Sequence, residues 1–251
     1  MTAPSMPAVP PFPAGSPAVP ARPLLVAETF GPTLQGEGPS TGQQALFLRL
    51  SRCNLSCPRC DTPYTWDTSR FDLRAHTADR PAEEIIRWVL TQQTRLLVIT
   101  GGEPLLQQDR LLPVVDAVTA AGRRVEIETN GTVVPLPALV ASVGAFNVSP
   151  KLAGFAGPRD GRRRINPDAL SALAGSGRAV FKFVAADTAE LDEIARLQEQ
   201  FGLDPVWVMP EGTTSDAVLA GMRDLADAVL ARGWHLSSRL HVLLWEDTRG
   251  R

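Results

Sequence analysis

The chain has 251 residues, 44% of them hydrophobic, and 25 basic against 27 acidic side chains leave a formal charge of −2. That length supports one α/β domain with a full core and is short for two, while the near-neutral balance offers no bulk field for nucleic acid or an anionic membrane. No stretch approaches the ~18–20 uninterrupted apolar residues of a membrane span, and the N-terminus lacks the layout of a secretory signal, so the expected location is the cytoplasm.

Residues 1–23 carry eight prolines among Ala, Ser and Gly, the composition of an extended, disordered arm, and the folded domain is expected over 24–251. From Leu24 onward short apolar runs alternate with amphipathic ones. The predicted strands are Ala45–Leu50, Leu96–Thr100, Arg124–Glu128, Ala145–Ser149, Arg178–Ala185, Pro205–Met209 and Arg239–Leu244. The predicted helices are Pro81–Gln92, Asp109–Ala121, Leu136–Ser142, Pro167–Ala174, Thr188–Phe201 and Thr214–Arg232. Such sustained alternation argues for a parallel sheet with right-handed crossovers, in which function gathers at the carboxyl ends of the strands. Six or seven units fit, which favours an open, partial (β/α)6-type TIM barrel over a closed eightfold one.

All three cysteines fall within eight positions, Cys53, Cys57 and Cys60, in the order C-x3-C-x2-C. A structural zinc site wants four ligands, and the nearest candidate to complete it is His76. Three thiolates can also hold a 4Fe-4S cubane with one iron left free for a small molecule, and three unrelated buried thiols are a third reading. Three further segments fall at predicted strand ends: Gly101-Gly102-Glu103-Pro104, Glu128-Thr129-Asn130-Gly131 and Ser149-Pro150-Lys151. Gly101 and Gly102 would let a ligand amine approach the backbone, with Glu103 offering it a carboxylate. Ser149 and Lys151 would supply a hydroxyl and a cation. The Arg162-Arg163-Arg164 run with Arg159 is the only basic cluster, and reads as a solvated loop or a lid.

The cysteine spacing and these segments resemble the radical S-adenosylmethionine (SAM) superfamily. Cys60-Asp61-Thr62, Leu34-Gln35-Gly36-Glu37-Gly38 and Phe47-Leu48-Arg49-Leu50 sharpen the resemblance to the 7-carboxy-7-deazaguanine synthase family within it, over about Glu28 to the C-terminus. The resemblance implies a partial barrel, a 4Fe-4S cluster on Cys53, Cys57 and Cys60, and SAM held by Arg59, Cys60, Asp61, Gly101, Gly102, Glu103, Thr129, Asn130, Ser149, Pro150 and Lys151. It also implies Mg²⁺ on Thr62 and a pterin held by Leu34, Gln35, Gly36, Glu37, Arg49, Thr100, His241 and the carboxylate of Arg251. The implied reaction converts 6-carboxy-5,6,7,8-tetrahydropterin into 7-carboxy-7-deazaguanine with loss of ammonia, SAM being regenerated. A homodimer and a flavodoxin- or ferredoxin-type electron donor come with it.

Arg59 departs from the family pattern, standing where most such enzymes carry an aromatic against the adenine, and its guanidinium could stack there instead. Glu246 and Asp247 stand where a glycine is expected after a last strand on which His241 would sit. A glycyl-radical activase and a non-catalytic iron–sulfur or zinc scaffold are the competing functions. The activase would need neither Gln35-Gly36-Glu37 nor a magnesium ligand at Thr62, and the scaffold would not bind SAM.

Overall fold

The computed structural model describes residues 22–251, so the expected arm lies outside the described residues except for Arg22 and Pro23. In chain order the elements are β1 (Leu24–Leu34), β2 (Gln44–Leu50), β3 (Ala78–Arg80), α1 (Ala82–Thr91), β4 (Leu96–Gly101), α2 (Gln108–Ala120) and β5 (Arg124–Thr129). There follow α3 (Pro137–Ser142), β6 (Ala145–Val148), α4 (Ala153–Ala156), α5 (Pro167–Gly175), β7 (Ala179–Ala185) and α6 (Leu191–Phe201). The last are β8 (Val206–Pro210), α7 (Ser215–Ala231), β9 (His235–Leu236) and α8 (Leu240–Trp245). The strands form one sheet in the order β3-β1-β2-β4-β5-β6-β7-β8-β9, parallel from β2 to β9, with β1 antiparallel to β2 and to β3. The sheet is not closed into a barrel: β3 and β9 are its two edges.

Strand periodicity explains why one face is core and the other a site, since alternate side chains point to opposite faces. On the outer face Leu46, Leu48, Leu97, Ile99, Val125, Ile127, Phe146, Val148, Phe181 and Phe183 pack with the helices in one continuous core. Each fully buried side chain of this size contributes about 1.5–3 kcal/mol. On the inner face the same strands carry Arg49, Thr100, Glu128, Asn147 and Lys182, all of which line one cavity. Lower on that face, Phe30 and Phe47 stack with ring centroids 4.9 Å apart, over Ala45, Leu96 and Val98.

Besides the short β3, α4 and β9, which were not predicted, two elements differ from the sequence reading. β1 was not among the predicted strands, because Gly31-Pro32 interrupts its alternation. The strand absorbs the pair as an irregularity between Phe30 and Thr33, with Gly31 at φ +116 and so close to β2 that a Cβ there would lie 2.8 Å from the Ala45 carbonyl oxygen. The predicted last strand Arg239–Leu244 is instead the helix α8. A short apolar run of Leu, Val and Trp does not separate helix from strand by periodicity, and β9 already ends the sheet at Leu236. Glu246, at φ +55, ends α8 in a conformation that favours glycine; its N–H donates to the Val242 carbonyl while its carboxylate accepts from Ser215 N (2.9 Å) and Oγ (2.7 Å), at the start of α7.

Candidate active site

The inner face, the β2 loop and the chain end enclose a cavity of about 960 Å³. Every residue expected from the sequence to hold cluster, SAM, magnesium or pterin lines it, except Glu103 and Pro150. Cys53, Cys57 and Cys60 open into it from the loop after β2, which turns through a hydrogen bond from Cys60 N to the Cys57 carbonyl (3.2 Å). Leu55, Phe155 and Ala156 pack around the thiols, placing α4 against the loop. Burial pushes the Cys53 thiol up to about 12 and Cys57 to about 11. N–H donors face the sulfurs: Leu55 N lies 3.5 Å and Asn130 Nδ2 3.9 Å from Cys53 Sγ, and Trp66 Nε1 3.4 Å from Cys60 Sγ. Such donors suit thiolates bound to a metal cluster.

Among the described residues no three His, Cys, Asp or Glu side chains converge tightly enough for a single metal ion. A cubane binds each thiolate at a different iron, so its ligands need not converge on one point. The donor chemistry fits, being three free thiols on one loop.

The glycines allow a close approach of backbone to backbone. A Cβ on Gly101 would lie 2.1 Å from the Leu50 carbonyl oxygen, and one on Gly102 2.0 Å from that of Arg52. What presses on them is the root of the cysteine loop, which Gly102 N and Glu103 N hold by donating to the Leu50 and Arg52 carbonyls at 3.0 and 2.8 Å. Glu103, expected to meet a ligand amine, is fully buried and accepts from Leu105 N (3.0 Å), Thr129 Oγ1 (2.7 Å) and Asn130 N (2.7 Å). Its carboxylate joins the ends of β4 and β5 and does not line this cavity. Burial raises its pKa despite those three donors. Pro150 is buried beneath Ser149 and Lys151, whose Nζ donates to Ser149 Oγ at 2.9 Å.

Arg59 is held by carboxylates: its Nε donates to Glu211 Oε1 at 2.8 Å, a second nitrogen pairs with Glu211 Oε2, and Nη1 lies 3.5 Å from Glu190. Its guanidinium also sits 5.5 Å from the centre of the Phe155 ring, whose other cation is Lys151 at 5.1 Å. Thr62 Oγ1 lies 3.7 Å from Cys60 Sγ, and Asp61 is paired with Arg239 at 2.7 Å.

The opposite wall is ionic. Glu37 pairs with Lys182 and with Arg239 (3.1 Å), and His241 Nε2 lies 3.9 Å away. Burial would raise the Glu37 carboxyl, but Lys182, Arg239 and His241 outweigh it and hold the group well below the usual carboxylate range. Glu128 accepts from Gln35 Nε2 (3.1 Å) and Thr100 Oγ1 (2.8 Å), with Lys182 Nζ at 3.9 Å. Arg49, the inner-face cation of β2, donates to Glu28 at 2.9 Å, and Tyr64 donates to the same oxygen at 3.0 Å. His241 was expected on a strand; it reaches the cavity from α8 and packs so closely on Gly36 that a Cβ there would lie 2.0 Å from its Nδ1. Arg251 lines the mouth beside Trp245, and Arg249 lies over the Tyr64 ring at 4.1 Å and pairs with Glu28.

Sequence reasoning missed Lys182, Glu128, Arg239, Glu211 and Trp66 as site residues. Strand parity could have found the first two: Lys182 is the one charged side chain of an otherwise apolar strand, and Glu128 continues the polar face that Arg124 and Glu126 begin on β5.

A cysteine-triad loop at a strand end, facing a cavity on the inner side of an open parallel sheet, defines a radical SAM enzyme, and the Radical SAM superfamily model matches residues 48–168. The 7-carboxy-7-deazaguanine synthase of Hyperthermus butylicus is 36% identical over 88% of this chain and 92% of its own. That of Pyrobaculum aerophilum is 33% identical over 91% and 97%. The crystal structure of QueE from Escherichia coli superposes with a TM-score of 0.64 at 27% identity, covering 87% of this chain and 95% of that one. The chain belongs to the 7-carboxy-7-deazaguanine synthase family. Membership brings a 4Fe-4S cluster and SAM as its cofactors, and Cys53, Cys57 and Cys60 are the only thiols the sequence offers to the cluster.

Proposed function

We propose that this enzyme converts 6-carboxy-5,6,7,8-tetrahydropterin into 7-carboxy-7-deazaguanine and ammonia in the cytoplasm, as a homodimer dependent on Mg²⁺. The observation that carries the substrate class is that Arg49 and the cysteine loop stem from one strand, β2, and open into one cavity, so an anionic substrate held by the guanidinium lies beside the thiols. Bound cluster and SAM supply a one-electron cleavage that lets a hydrogen atom be taken from the substrate. The chain's own residues do the rest. Arg49, whose burial is outweighed by Tyr64, Glu28 and Asp61 so that its pKa is raised, is a permanent cation with nitrogens left for a substrate carboxylate. Gln35 and Thr100, already donating to Glu128, and the ionised Glu37 offer donors and acceptors to the pterin edge. Thr62 offers a hydroxyl oxygen to Mg²⁺, a hard ion that prefers oxygen and retains open positions for a carboxylate. The α8 segment with Arg249 and Arg251 stands at the mouth and excludes water.

The test is anaerobic: cluster-loaded protein, dithionite, SAM, Mg²⁺ and 6-carboxytetrahydropterin, with the product followed by mass spectrometry. Product that requires every component and vanishes in Cys57→Ala supports the assignment. Deoxyadenosine without product would mean a different substrate.

A further inference from the structure

The basic run that the sequence singled out lies outside the cavity and plays no part in it, yet it is fastened to the cysteine loop. The segment from Gly157 to Arg164 follows α4, whose Phe155 and Ala156 pack on Cys57 and Leu55. Asp160, buried, accepts from Ser56 N at 2.8 Å and Ser56 Oγ at 3.2 Å, and Arg163 donates to the Asn54 carbonyl at 3.2 Å. Gly157, at φ +72, lies so close to the exposed Pro58 that a Cβ would meet its Cγ at 2.9 Å. The segment is therefore stitched to the loop at residues 54, 56 and 58.

Arg159, Arg162 and Arg163 are exposed, and among the described residues none of them pairs with a carboxylate; Arg164 is the paired member of the run, with Glu193 at 2.7 Å. Residues 1–21 contain no Asp or Glu that could neutralise them. The exposed carboxylate nearest in sequence is Asp168. In a chain of net charge −2, three exposed arginines within five positions, none paired with a carboxylate among the described residues, thus stand together beside its metal-binding loop.

The chemistry gives that position a meaning. Resting on the radical SAM reading, each reductive event needs one electron from outside, and a chain with three cysteines, all in one loop, has no second cluster to relay it. Electron transfer weakens steeply with distance, so the donor must sit against the loop itself. We infer that the Arg159–Arg163 surface is the docking site of an acidic one-electron carrier protein. One electron leaves the reduced carrier and enters the site the three thiolates hold, and no bond forms or breaks in that step. Unpaired arginines steer an acidic partner and set its orientation, and their effect weakens with salt.

The test compares two reductants in the full-length, cluster-loaded protein: a reduced acidic flavodoxin, and dithionite. In Arg159→Glu/Arg162→Glu the KM for flavodoxin should rise about tenfold or more and lose its salt dependence, while dithionite-driven turnover stays within about twofold of the parent. Arg159→Lys/Arg162→Lys should restore most of the flavodoxin KM. Calorimetric titration with oxidised flavodoxin reads the same surface without turnover and should show a matching loss of affinity. An unchanged flavodoxin KM and affinity would overturn the proposal, as would a parallel loss with both reductants or affinity shifted only for an oligonucleotide. If the parent forms no product with dithionite, the function reading fails, and the calorimetric comparison still decides the surface.

Discussion

The cavity wall built from the β2 loop and the wall built from β7, Glu37 and Arg239 obtain their charge from different sources. On the first, burial holds Cys53 and Cys57 as thiols up to about 12 and 11, and their partners are weak N–H donors. Only a metal's charge ionises such groups. On the second, Glu37 meets Lys182 and Arg239 within the fold, so its negative charge is compensated before any ligand arrives. The first wall depends on its cofactor for its electrostatics, whereas the second has its charges paired within the fold. Removing a thiol should therefore abolish chemistry and spare the fold, and removing a charge from the ionic wall should harm the fold as well.

The largest effect should come from Cys57→Ala, which is expected to lose iron and reduce product formation to background while shifting the urea midpoint little, as checked by iron analysis and denaturation. Lys182→Met should cost about 3 kcal/mol, because breaking a buried pair leaves Glu37 and Glu128 short of a cation. Adding Glu37→Gln should recover part of that loss in the same urea experiment. A stability intact in Lys182→Met would erase the distinction between the walls.

A smaller effect concerns pH. Burial, which outweighs the pull of Glu37, places His241 below its ordinary 6.5 in the folded state. As pH falls through 6.5 the unfolded chain binds a proton that the folded chain refuses, so stability falls. His241→Gln should flatten the urea midpoint in that window. Glu37 acts in a separate, more acidic one: its folded value is depressed, so its contribution is complete above about 4.5, the ordinary carboxylate value, and is lost progressively as pH falls below it. The smallest effect is Arg249→Ala, a half-exposed pair with Glu28 worth under about 1 kcal/mol, expected to raise the substrate KM a few-fold with kcat little changed.

The thiol wall was largely legible because its residues are contiguous: three cysteines in eight positions, and strand-end segments in the order the sheet uses them. The parallel sheet was legible through strand periodicity, except where Gly31-Pro32 masks β1 and a leucine-rich turn of helix at α8 mimics a strand. The ionic wall was largely hidden. Lys182 meets Glu37 across 145 positions and Arg239 meets it across 202, and no local pattern announces a pair at that separation. Glu103 is a related case: a carboxylate beside two glycines reads as a ligand group, and its burial against Thr129 and Asn130 is set by residues more than twenty positions away.

Leu240 N donates to the Gly36 carbonyl at 2.8 Å, tying the last helix to the loop after the first strand, with Arg251 at the cavity mouth. For anyone handling the protein this is a matter of which end to touch. A purification tag fused after Arg251 would crowd the doorway and tug on the loop after β1 through Gly36. The same tag placed ahead of residue 1 would be joined to the chain more than twenty residues before β1.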